Sequence, residues 1–113
     1  MKVKRGPFFV IEVTDDRNKR LADGYMRGSY PLVQFFAFSS DDWNDGTAMM
    51  RKASEGAVFY FFLSYNCVDE PQYCPSDVMK TSYRFYKNRE LKKTVEGDDI
   101  LGAREIRETL RNL

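Results

Sequence analysis

Cys67 and Cys74 are the two thiols of this chain, and none of its 113 residues is a histidine that could activate them. That removes the usual general base of Ser and Cys nucleophile systems and the commonest metal ligand. Six residues separate the cysteines, and no second pair completes a four-ligand zinc site. They read as structural thiols or as a loop-closing disulfide, free in a reducing compartment and paired in an oxidising one. Asp41-Asp42-Trp43-Asn44-Asp45-Gly46 is similar to a calcium loop only on the surface. Counting back from Gly46 puts Trp43 where an oxygen ligand belongs, and Lys52 falls where the closing glutamate should be. Asp77 followed by Glu90-Leu91-Lys92 has the order of acids and lysine used by metal-dependent nucleases, a minor alternative in a chain with 17 acids and 18 bases.

A broader pattern interleaves aromatic with basic residues. Phe36, Tyr60, Phe62 and Tyr86 lie in or beside strand-like runs, with Arg84, Lys87, Arg89 and Lys93 close to the last of them. Stacking rings beside a cationic track suit single-stranded nucleic acid, whose bases offer π-faces and whose backbone offers charge. A second group, Trp43 with Asp42 and Asp45, and Ile106 with Leu110 on the last helix, suits a protein interface. Charge is distributed to match: blocks 1–30, 31–76, 77–97 and 98–113 carry +3, −4, +3 and −1, for a total of +1.

The elements that must position these residues centre on Tyr30 to Tyr65. Two aromatic-rich runs, 31–38 and 57–65, are bounded by turn residues and read as buried strands. Between them, Asp41–Ser54 reads as a short helix with Asp caps and a stop at Gly56. Phe8–Thr14 forms a first strand, and 20–27 a second, with a short helix from Asp15 as the alternative. Residues 66–76 form a long loop with two prolines. From Met79 to Tyr86 the pattern alternates as in a half-buried strand, Lys87-Asn88 turns, and 89–96 returns as a hairpin partner; a helix through 77–93 competes. After Gly97, Asp98 or Asp99 caps a final helix with Ile100, Ala103, Ile106, Leu110 and Leu113 on one face.

The passage Phe36-Ala37-Phe38, helix near 47–54, then Glu55-Gly56-Ala57-Val58-Phe59-Tyr60 resembles an OB-fold, specifically the single-strand-binding modules of replication protein A type. The resemblance spans residues 8–95 and departs at Arg27-Gly28-Ser29-Tyr30-Pro31, where the family has Asp-x-x-Gly.

The expectation is therefore a β-rich α+β single domain over 1–113. It comprises an OB-like five-stranded antiparallel barrel or coiled sheet (8–95), a short internal helix and a C-terminal helix (98–113). Its expected function is non-enzymatic binding of single-stranded DNA or RNA. The alternative is a small protein-binding module or inhibitor, of viral or phage accessory type, that blocks a host enzyme. No cofactor, metal or membrane is expected, and the C-terminal helix offers an oligomer contact. With no stretch long enough to span a bilayer and no signal-peptide pattern, the expected setting is intracellular, cytoplasmic or nuclear.

Overall fold

The computed structural model describes residues 10–57, 59–97 and 99–113. In chain order the elements are β1 (Val10–Val13), α1 (Asp16–Met26), β2 (Leu32–Ala37), α2 (Ser40–Ser54), β3 (Phe61–Asn66), β4 (Ser82–Lys87), β5 (Glu90–Glu96) and α3 (Ala103–Arg111), with a single 3₁₀ turn at Pro71–Tyr73. The five strands form one mixed sheet in the order β1-β3-β2-β4-β5. β3 runs parallel to both β1 and β2, whereas β4 is antiparallel to β2 and β5 to β4.

That order fixes where the helices go. The step from β1 to β2 crosses β3 in one direction, and the step from β2 back to β3 runs in the other. Right-handed crossovers then place α1 and α2 on opposite faces of the sheet. Val33, Phe35, Ala37, Phe62, Tyr83 and Phe85 accordingly pack with Met50 and Ala53 of α2 and Ile106 and Leu110 of α3. Leu32, Phe36, Leu63 and Tyr65 point to the other side, where Ala22 of α1 and Val78 meet them. Every residue of β2 is buried, as a strand covered on both faces requires.

The antiparallel barrel is thus corrected to an open α/β-type sheet with covered faces. The error arose at 20–27, which is the second half of a helix and not a strand. Asp15 stands in extended backbone at the N-cap and accepts from the Asn18 backbone N–H at 2.8 Å, and the Asn18 amide donates to the Glu12 carbonyl at 2.8 Å. Lys19 and Asp23, one turn apart, pair at 2.8 Å. This helix makes β1 and β2 parallel neighbours of β3, which no five-stranded antiparallel barrel permits.

The other expected elements stand with shifted ends. The hairpin forms around Asn88 and Arg89, whose positive φ of 54° and 67° matches the twist of the flanking strands. β5 is an exposed edge strand in which Glu90, Lys92, Lys93 and Glu96 discourage further pairing. The last helix begins after Gly102, whose N–H donates to the Glu105 carboxylate at 3.0 Å, and not at the aspartates. Phe8 and Phe9 of the first expected strand, Val58 of the fourth and the Asp98 cap lie outside the described residues.

Gly46 shows how tightly α2 sits on the sheet. It is buried in mid-helix, and a Cβ there would overlap the Phe35 ring. Gly24 in α1 has nothing within 4 Å of the same position. Gly46→Ala is expected to destabilise the fold by about 1–3 kcal/mol through overpacking. Gly24→Ala should stabilise it by about 0.5–1 kcal/mol through helix propensity. Urea unfolding of the two variants checks both signs.

Candidate functional site

In sheets of this kind ligands and reacting groups gather outside the carboxyl ends of parallel strands. Here those ends are Val13, Ala37 and Asn66, followed by the turn into α1, the turn into α2 and the loop 67–81. Cys67 comes directly after β3 and donates its backbone N–H to Ala37 O at 2.9 Å. The side-chain oxygen of Asn66 accepts from the N–H groups of Val68 and Asp69, each at 3.1 Å, and folds the chain back. The turn at Pro71–Tyr73 then brings Cys74 to a Cα separation of 5.9 Å from Cys67, and the two are joined as a disulfide. Cys67 is 6% exposed, and Cys74 is half-buried.

Side-chain hydrogen bonds tie this loop to both helices. The Tyr73 hydroxyl donates to Asp16, in the first turn of α1, at 2.6 Å. That bond to a carboxylate raises the Tyr73 pKa above its ordinary value. Farther along, Thr81 donates to the Asp42 carboxylate at 2.7 Å and accepts from the Phe38 N–H at 3.1 Å. The first turn of α2 is thereby fastened to the segment entering β4, while Ser39 caps the helix by accepting from the Asp42 N–H at 3.1 Å. Neither sulfur is at that helix start, a position that would favour a thiolate. Asp41 and Asp42 stand there instead.

The residues expected to form a nucleic-acid groove do not come together. Phe36 and Phe62 are buried on opposite faces of the sheet, in separate cores. Tyr60 is half-buried beside the α2–α3 core. Arg84 and Tyr86 project from β4 on the α1 face, where the Arg84 guanidinium lies 5.8 Å from the Phe36 ring centre. Lys87 donates to the Leu113 carbonyl at 3.3 Å, Arg89 to the Arg27 carbonyl at 3.3 Å, and Lys93 is exposed on the β5 edge. Of the alternative interface, Trp43 packs half-buried against the α2–α3 core, Asp42 is held by Thr81, and Asp45 is exposed. Ile106 and Leu110 are buried against the chain's own sheet, so the apolar face of α3 is already covered. The nuclease arrangement is absent as well. Asp77 pairs with Arg84 at 2.8 Å and Glu90 with Lys92 at 2.7 Å, and the described residues include no acidic or thiol cluster that could hold a metal. Arg84 holds the Asp77 carboxyl below its usual range.

Three solved structures with the same arrangement of elements decide the fold. Thioredoxin O1 of Arabidopsis thaliana, crystallised oxidised, is 14% identical, covers 93% of this chain and 97% of its own, and superposes with a TM-score of 0.68. Thioredoxin F of spinach chloroplast, long form, is 17% identical over 91% of this chain and 87% of its own, TM-score 0.64. A thioredoxin of Nicotiana alata is 12% identical over 98% and 97%, TM-score 0.64. The chain has a thioredoxin fold. No family model and no curated protein matches its sequence.

The thioredoxin fold overturns the OB-fold resemblance and, with it, the expected single-stranded nucleic-acid function and partner. The expectation of a non-enzymatic binder was tied to that resemblance and is withdrawn with it. Of the two readings of the cysteines, the loop-closing disulfide is the one found; its spacing is C-x₆-C, whereas the thioredoxin-like motif is C-x-x-C. The available signal was position: one cysteine directly ends an aromatic strand, and the other follows a proline-started turn.

Two buried tyrosines give the sheet a pH limit. Burial pushes Tyr65 and Tyr83 up to about 12 from the ordinary 10.0. The folded state therefore keeps both protons where the unfolded chain has begun to lose them. Stability is expected to stay level below pH 10 and to fall between pH 10 and 12, by roughly 1 kcal/mol per pH unit for each tyrosine. Chemical denaturation across that range, with phenolate absorbance read in parallel, checks the window.

Proposed function

We propose that this chain engages protein partners and exchanges thiols and disulfides with them through Cys67 and Cys74. The observation that carries the reading is a closed cysteine pair at the carboxyl ends of the parallel strands, with Cys74 only half-buried. In an intracellular setting, a disulfide is usually transient, catalytic or redox-sensing and rarely a permanent staple.

The exchange balances as follows. A partner thiolate attacks the Cys74 sulfur, forms a mixed disulfide and displaces the buried Cys67 sulfur, which takes up a proton. A second partner thiolate then attacks the partner's own sulfur in that bond, closing the partner's disulfide and releasing Cys74. The partner loses two electrons and two protons, and the Cys67–Cys74 disulfide gains both. Run in reverse, the dithiol reduces a partner disulfide. Asp41 and Asp45, exposed on α2 at this end of the sheet, contribute to the surface that the partner meets.

Equilibration in thiol–disulfide buffers, followed by alkylation and mass measurement, should give a midpoint above about −300 mV, the range below which structural disulfides fall. The dithiol should turn over a model protein disulfide, and Cys67→Ser should trap a mixed disulfide that Cys74→Ser does not. A midpoint well below that range, with no turnover, would make the bond a staple and end the redox reading. Reduction should also destabilise the fold by about 2–3 kcal/mol for a loop this short.

A further inference from the structure

The two faces of the sheet are covered unequally. On one side α2 and α3 both pack against it; on the other α1 sits toward β1 and β3, and the 67–81 loop runs past the carboxyl ends. A cleft of about 400 Å³ is left over β2, β3 and β4, between α1 and the loop. Its floor includes Gln34, placed opposite Leu63 on one side and Arg84 on the other.

Gln34 is the unusual group. It is the one polar residue in a strand otherwise made of Leu, Val, Phe and Ala, and it is 7% exposed. Its Nε2 donates to the Tyr65 hydroxyl at 3.1 Å, whereas its Oε1 has no partner among the described residues. An unpaired buried acceptor is costly to the fold, so a donor from outside would be bound with advantage. Tyr65, accepting from Gln34, keeps its own hydroxyl proton free to donate.

The rest of the lining sets the ligand's charge and shape. Three cations, Lys19, Arg27 and Arg84, stand against one carboxylate, Asp23, which is already paired with Lys19 at 2.8 Å. Arg84 binds the exposed Asp77 through one nitrogen, and no partner of the Arg27 side chain is found among the described residues. A guanidinium offers five donors and suits a planar carboxylate. Tyr73 and Tyr86 add ring surface at the walls.

We propose that this cleft binds a free carboxylate flanked by an amide N–H and an aromatic group, the chemistry of an N-acylated aromatic amino acid or of a peptide's C-terminal residue. Arg84 and Arg27 hold the carboxylate, Gln34 Oε1 accepts the amide N–H, and the ring lies against Tyr73 and Tyr86. The site is separate from the exchange at Cys74 and does not depend on it, although Tyr73 belongs to both.

The test is a titration of the oxidised full chain with N-acetyl-phenylalanine, followed by two-dimensional ¹H–¹⁵N NMR, in which the Gln34 side-chain amide gives its own signal. The expected result is a saturable shift of that signal together with the backbone amides of Tyr65 and Arg84. N-acetyl-phenylalaninamide, which lacks the carboxylate, should bind about tenfold more weakly. Arg84→Gln should do the same to N-acetyl-phenylalanine, and the exposed Arg27→Gln should weaken it severalfold without threatening the fold. A tetrapeptide ending in phenylalanine distinguishes the source: several-fold tighter binding assigns the site to chain termini, and equal binding to small molecules. An unmoved Gln34 signal at millimolar ligand, or equal shifts from the acid and the amide, overturns the proposal.

Discussion

The whole arrangement depends on β2 being buried along both faces between β3 and β4. A strand with Leu32, Gln34 and Phe36 on one side and Val33, Phe35 and Ala37 on the other cannot sit at an edge or face water. It needs a layer above and a layer below, and the chain supplies them by crossing the sheet twice in opposite directions. Helix α2 comes so close that Gly46 is needed against Phe35. Once α1 and α2 are placed, the carboxyl ends of β1, β2 and β3 must share one end of the molecule. Thr81, Asp42, Tyr73 and Asp16 then fasten the connecting segments to one another there.

How far this was legible in the sequence differs by element. The strands at 31–38 and 57–65, the helix between them, the hairpin and the final helix were readable because each carries its own period and punctuation. The segment 16–26 was readable only in part. Leu21, Ala22, Tyr25 and Met26 recur at one-turn spacing, but Gly24 and Gly28 interrupt the run. Gly24 is accepted because its helix face is open, so the residue lowers propensity without removing contact. That one misreading converts parallel neighbours into antiparallel ones and an open sheet into a barrel. Topology is thus more fragile than the elements that compose it.

The site was less legible still, because burial rearranged the signals. Phe36 and Phe62 looked like stacking rings but fill separate cores, and Ile106 and Leu110 looked like an interface but close the α2–α3 layer. Gln34 is a lone polar residue in an apolar run. Its meaning depended on Tyr65 and Arg84, which the sheet brings beside it from 31 and 50 residues away. No local pattern encodes such a neighbourhood.

The cysteines stand apart from the start of α2, whose charge is already answered. A helix N-terminus carries partial positive charge and stabilises an anion. In this chain Asp41 and Asp42 occupy that position, and Asp42 is further engaged by Thr81. A thiol placed beside them would meet two carboxylates and lose the benefit of the helix, since like charge opposes its ionisation. The helix start therefore holds carboxylates, and the sulfurs lie in the loop after β3. There the Asn66 turn and the Tyr73–Asp16 clamp hold the backbone on either side of the pair. The carboxyl ends of the parallel strands bring the start of α2 and the cysteine loop to the same end of the molecule, so the disulfide lies near a helix terminus without occupying it.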